Sequence, residues 1–104
     1  MKTCSVQELQ KALSERPAHT HFLDVRSSAE YAEGHIPGFE NAVLTGEKVK
    51  SMNLDDTYYV QCFSGGRSSF VCMQMEKLGF KNVINVKGGL SAWEEAGYDI
   101  AKGA

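Results

Sequence analysis

The sequence predicts an α/β domain built on an open, mostly parallel sheet with helices on both faces. Segments with strand character alternate with segments of helical period along the whole chain. The run His21-Phe22-Leu23-Asp24-Val25 is short, mostly apolar and bounded by polar residues, as a buried parallel strand is. A cysteine, Cys62, directly follows another such run, at the carboxyl end of a strand where open sheets of this class hold ligands.

The elements follow in order. Ser5-Val6-Gln7-Glu8 has the form of a capping box, and Val6, Leu9, Gln10 and Leu13 recur at helical spacing, predicting a helix over Val6 to Ser14. Arg16-Pro17 ends it, and the strand His21 to Val25 follows. Ser27-Ser28 caps a short helix through Ala32, and Gly34-His35-Ile36-Pro37-Gly38 reads as a turn. A short strand is predicted at Asn41 to Leu44 and a weak helix at Glu47 to Met52. The strand Tyr58 to Gln61 precedes the cysteine turn and a helix from Ser68 to Leu78, in which Ser68, Val71, Cys72, Met75 and Leu78 share one stripe. Cys72 is therefore placed against the sheet in a packing role. Gly79 closes that helix, Asn82 to Val86 returns as a strand, and Gly88-Gly89 leads to a last helix over Leu90 to Ala96 with Trp93 in the core.

The chain of 104 residues is expected to be one domain, 1–104, long enough to bury roughly two thirds of its unfolded surface without a staple. A net charge of -2, with acidic and basic residues dispersed, offers no field for nucleic acid. No run of roughly eighteen apolar residues supplies a membrane span, and the start lacks a signal-like apolar stretch, so the chain reads as cytoplasmic. Cysteines at 4, 62 and 72 are odd in number and show no C-x-x-C spacing, which argues against a disulfide framework and a zinc site. His19, His21 and His35 add no ligand spacing and are assigned to the surface or to loops.

The chemistry concentrates in Cys62-Phe63-Ser64-Gly65-Gly66-Arg67-Ser68. Amides at a helix start have no intrahelical partner, and the aligned peptide dipoles make that end partly positive, so the turn can hold an anion such as a thiolate. Arg67 adds a full charge, and Gly65 and Gly66 can take positive φ and let amides approach closely. The thiol of Cys62 is therefore expected to titrate below its ordinary value of ~8.5, in a charged, exposed setting unlike that of a packed cysteine. A nucleotide P-loop is excluded, because no G-x-x-x-x-G-K-[ST] occurs. Cysteine-dependent phosphatases resemble C-x5-R, whereas four residues separate Cys62 from Arg67. The shorter ring suits a smaller centre, such as the outer sulfur of a persulfide, better than a phosphoryl group.

Cys62-x-x-Gly65-x-Arg67-Ser68 resembles the active-site loop of rhodanese-type sulfurtransferases, particularly the single-domain members. Leu23-Asp24-Val25-Arg26 with Glu30-Tyr31 and Gly34-His35-Ile36-Pro37-Gly38 resembles the family's N-terminal signature. Gly88-Gly89-x-x-Ala92-Trp93 with Gly97-Tyr98 resembles its C-terminal one. The resemblance implies a rhodanese-like fold and a two-step shuttle. Cys62 takes the sulfane sulfur of thiosulfate or of a persulfide or polysulfide, becomes a persulfide, and passes the outer sulfur to cyanide, a thiol or a protein. Amides from Phe63, Ser64, Gly65, Gly66, Arg67 and Ser68 would stabilise the sulfur anion, with Arg67 attracting the donor and Ser68 bracing the loop.

The resemblance implies no metal or organic cofactor. The partners it implies are small sulfur donors and acceptors and, in a relay, a second protein. Asp24, Arg26 and Glu30 are read as structural, with Arg26 and Glu30 paired four residues apart, and His35 is given no proton-transfer role. Phe63 and Ser64 stand where some thiosulfate-active members carry basic residues, so a persulfide or protein donor is credible beside thiosulfate. Phe63, Phe70 and Met73 are expected to form an apolar rim suited to a docking partner. The alternatives are a carrier or interaction module without turnover, and phosphatase- or arsenate-reductase-like chemistry.

Overall fold

The computed structural model describes residues 1–103. Its elements run β1 (Lys2–Cys4), α1 (Val6–Glu15), β2 (Thr20–Asp24), α2 (Ser28–Glu33), β3 (Glu40–Asn41), α3 (Gly46–Lys50), β4 (Thr57–Gln61), α4 (Gly66–Lys77), β5 (Asn82–Val86) and α5 (Gly89–Glu95). Five strands form one sheet in the order β1-β5-β4-β2-β3, and every neighbouring pair is parallel. Two apolar clusters cover the faces. Leu9 and Ala12 of α1 and Leu90 and Trp93 of α5 pack with Phe22 on one side. Cys72 and Met75 of α4 pack with Leu23, Tyr58 and Val60 on the other, with Val49 of α3 against them. The predicted α/β class, with helices on both faces of a parallel sheet, is the architecture observed.

Local signals place most boundaries. The Ser5 hydroxyl accepts from the Glu8 amide and the Glu8 carboxylate accepts from the Ser5 amide, which satisfies two orphan donors at the start of α1. Arg16 then takes a left-handed conformation, φ 42°, and its amide donates to the Ala12 carbonyl at 2.8 Å. The box recurs at Ser27 and Glu30 for α2.

Three expectations need correction. The sequence reading contained no β1, because a three-residue strand at the sheet edge carries no period, and only its parallel pairing with Ile84, Asn85 and Val86 defines it. The strand expected over Asn41 to Leu44 shrinks to Glu40–Asn41, since after the Ala42 amide donates to Asp24 the chain leaves β2. Leu78 is 59% exposed rather than part of the buried stripe. The helix ends there, Gly79 turns the chain at φ 99°, and Phe80 occupies the core position instead. His35 lies in the connection between α2 and β3, as expected of a loop histidine, and is buried there, stacked on Tyr31 with ring centroids 3.6 Å apart.

Cys72 lies in the core as expected, as does Cys4, and burial pushes their thiols up to about 12 and about 11 respectively. Trp93 is buried too, and its indole N–H donates to the Asp99 carbonyl at 2.7 Å. Phe63, Phe70 and Met73 are exposed. Phe70 lines a groove with Leu44 and Val49, whereas Phe63 lines a cleft with Arg26 and Leu90.

Candidate active site at Cys62

β4 lies between β2 and β5, so Cys62, one residue past its end, emerges where the β2–α2, β4–α4 and β5–α5 connections meet. The chain must turn at once into α4, and Gly65 makes that turn in the left-handed region at φ 104°. Gly66 already belongs to the helix, so of the two glycines expected to supply positive φ only Gly65 does.

The turn folds over the sulfur. The Gly65 amide donates to Cys62 Sγ at 3.1 Å, and the Ser68 amide and hydroxyl both lie 3.4 Å from it. The side chain is only 1% exposed, which corrects the expectation of an exposed setting, yet it belongs to neither apolar cluster. Burial alone pushes the thiol up. Hydrogen bonds from the Ser68 hydroxyl and amide and from the Gly65 and Ser64 amides outweigh it, and the thiol is held below its ordinary value. The expected direction is therefore observed, and the leading cause is the set of donors within the loop.

Ser68 Oγ also lies 2.5 Å from Asn85 Oδ1 on β5 and 3.2 Å from the Gly65 carbonyl. A hydroxyl carries one proton, so Asn85 and Cys62 compete for it. Replacing Ser68 with alanine is expected to move the midpoint of Cys62 alkylation by iodoacetamide upward in pH and to slow it several-fold at neutral pH. A rate profile that coincides with the parent would show the hydroxyl to be irrelevant to the sulfur.

Arg67 does not face the sulfur as a free cation. Its guanidinium forms a two-point contact with the Glu30 carboxylate, at 2.8 and 3.0 Å. The Arg67 hydrogen bond first, and then the Ser27 amide, hold the Glu30 carboxyl down at about 2. The expected Arg26–Glu30 pair is absent because Arg26 precedes the N-cap Ser27, where helical spacing does not yet apply. Arg26 instead folds back on Asp24, with Nε 3.1 Å and Nη2 2.9 Å from its carboxylate, and donates to the Gly34 carbonyl at 2.7 Å. Asp24, fully buried, also accepts from Gln61 Nε2 at 2.6 Å. These contacts tie the β2–α2 connection to β4 beside Cys62.

The β5–α5 connection closes the site from the other side. The Leu90 amide donates to the Cys62 carbonyl at 3.0 Å and the Ser91 amide to the Phe63 carbonyl at 2.8 Å. A Cβ on Gly89 would lie 2.2 Å from the Cys62 oxygen, so only glycine fits. A cleft of about 420 Å³ opens beside the loop, walled by Arg26, Glu30, Phe63, Leu90 and Ile100 among others. Sequence reasoning missed Asn85 and Gln61. Their signal was a polar residue next to an apolar run, Gln61 after Tyr58-Tyr59-Val60 and Asn85 between Ile84 and Val86, both buried beside the cysteine loop. No group of three or more His, Cys, Asp or Glu suited to a metal ion occurs among the described residues.

Comparison with known proteins places this geometry. The Bacillus subtilis protein named "Putative sulfur carrier protein YrkF" is 40% identical over 75 residues, which cover 70% of this chain and 40% of that protein, so the chain spans well under half of that relative. A sulfurtransferase of Allochromatium vinosum is 32% identical over 95 residues, covering 86% of this chain and 89% of that one. The crystal structure of a rhodanese-related protein from Thermoplasma volcanium superposes with a TM-score of 0.81 at 28% identity, over 97% of this chain and 98% of that chain. The rhodanese-like domain matches residues 5–96, taking in the Asp24–Arg26 bridge, the Cys62 loop and the Gly88-Gly89 turn, and the chain belongs to the rhodanese-like domain family.

Proposed function

We propose that this chain is a sulfurtransferase that carries sulfane sulfur as a persulfide on Cys62. The observation that supports it most directly is the sulfur atom itself, buried yet ringed by the Gly65 and Ser68 amides and the Ser68 hydroxyl, with its thiol held low. Such a ring of neutral donors stabilises negative charge on the Cys62 sulfur. Phe63, Ser64, Gly65, Gly66, Arg67 and Ser68 form the loop that would receive the donor.

In the first step the Cys62 thiolate attacks the sulfane sulfur of thiosulfate, one S–S bond forms as another breaks, and sulfite leaves with the electron pair. In the second, cyanide or a thiolate attacks the outer sulfur, and the Cys62 thiolate returns as leaving group. Both steps begin and end with charge on sulfur, so a preformed donor ring serves both. A persulfide or polysulfide donor follows the same path, with a thiolate in place of sulfite.

Purified protein given thiosulfate and cyanide is expected to form thiocyanate, and Cys62→Ser to lower the rate by at least about a thousandfold, since the reaction has no second nucleophile to use. Turnover that survives Cys62→Ser would end this reading. A second reading, a sulfur carrier serving a partner protein, gains support from the Bacillus subtilis relative. Persulfide on Cys62, detected by mass spectrometry, without thiocyanate turnover would favour it.

A further inference from the structure

The contact between Arg67 and Glu30 bears on which donor the loop accepts. Glu30 is not a loose surface carboxylate. Its Oε1 also accepts from the Ser27 amide at 3.2 Å and the Ser27 hydroxyl at 3.1 Å, so the capping box of α2 fixes it before Arg67 arrives. Arg67, on the first turn of α4, is then held by two short charge-assisted hydrogen bonds to Glu30, which itself lines the cleft. An anionic donor must draw Arg67 away from an anion already in place.

Arg26, which lines the cleft, is committed to Asp24 and the Gly34 carbonyl. The remaining charged walls of the cleft are Glu33 and Glu94 against Lys102. This lining gives a second negative charge on a donor little to gain. Phe63, Leu90 and Ile100 offer apolar surface in the same cleft.

We propose that Glu30 is a positioning residue that sets donor specificity: by holding Arg67 it biases the Cys62 site against the thiosulfate dianion and toward singly charged sulfane donors with an apolar substituent. The proposal rests on the sulfurtransferase reading above and adds the donor class. For a thiosulfonate anion the transfer balances as for thiosulfate. Cys62 takes the sulfane sulfur, the bond from that sulfur to the sulfonyl group breaks, and a sulfinate leaves with the electron pair, no proton moving.

The test compares kcat/KM for thiosulfate and for methanethiosulfonate, with cyanide as acceptor, in the parent, in Glu30→Gln, in Arg67→Gln and in the double variant. Glutamine can still accept at the N-cap, so Glu30→Gln keeps the α2 cap while freeing Arg67. The ratio of thiosulfate to methanethiosulfonate kcat/KM is expected to rise about fivefold in Glu30→Gln, the size of an exposed two-point ion pair, through KM for thiosulfate rather than kcat. In the Arg67→Gln background the same substitution is expected to leave the ratio unmoved. Comparing that ratio between variant and parent cancels the difference in leaving group between the two donors.

An unchanged ratio in an active Glu30→Gln protein overturns the proposal, and so does a rise that persists without Arg67, since the effect would then not pass through Arg67. Failure of the sulfurtransferase reading has a different signature: the parent would yield no Cys62-dependent thiocyanate from either donor, and both conclusions would fall.

Discussion

Substitution of Gly89 by alanine is expected to disable the site and lower stability together. The added Cβ would stand 2.2 Å from the Cys62 carbonyl oxygen and 2.9 Å from that of Phe63, and both obstacles are backbone atoms that cannot rotate aside. Gly89 also sits at φ 51°, where an L residue costs roughly 1–2 kcal/mol. Relief of the clash requires α5 to retreat from the loop, lengthening the hydrogen bonds from Leu90 and Ser91 to those same carbonyls. With each such bond contributing about 1 kcal/mol, a loss of roughly 2–4 kcal/mol in the denaturant midpoint analysis is expected. Sulfur transfer should fall by about a hundredfold even in the protein that remains folded, since a displacement of order 1 Å at reacting atoms has that effect. A Gly89→Ala protein with parental midpoint and activity would show that α5 does not clamp the loop.

The second large effect is expected at Arg26. Asp24 is fully buried, and Arg26 is the only cationic side chain hydrogen-bonded to its carboxylate among the described residues. Arg26→Met removes that charge and leaves the carboxylate with the Arg26 backbone amide at 3.0 Å and the Gln61 amide at 2.6 Å. Stranding a buried charge costs about 3–5 kcal/mol, whereas replacing both members of a buried pair often costs far less. Urea titration should therefore place Arg26→Met well below the parent and the double variant Asp24→Asn/Arg26→Met above Arg26→Met. Strict additivity of the two substitutions would contradict the pair as drawn here.

These two expectations also separate what was legible in the sequence from what was not. Gly88-Gly89 was visible as a motif, but the reason for Gly89 is a contact with Cys62, well removed along the chain, that no local rule encodes. The capping boxes at Ser5 and Ser27, the strand at Asn82–Val86 and the cysteine turn were readable because each is written within a few consecutive residues. Glu30 shows the limit. Its N-cap role is local and was open to inspection, yet its ionic partner is Arg67, 37 residues away, and the helical-spacing rule pointed to Arg26. The burial of Cys62 was hidden for a similar reason: glycine, serine and arginine mark a polar turn, and the turn closes over the sulfur only because β5 and α5 supply a wall. Leu78 kept the helical period but lay at the point where the helix stops, so periodicity extended the buried stripe one turn too far.

The lengths of β1 and β3 carry a consequence for life at high concentration. The sheet's outer borders consist of three residues on one side and two on the other, and each carries an exposed charged side chain, Lys2 and Glu40 respectively. A neighbouring polypeptide seeking to extend the ladder finds a handful of vacant peptide groups guarded by ions, too few for zipper-like polymerisation.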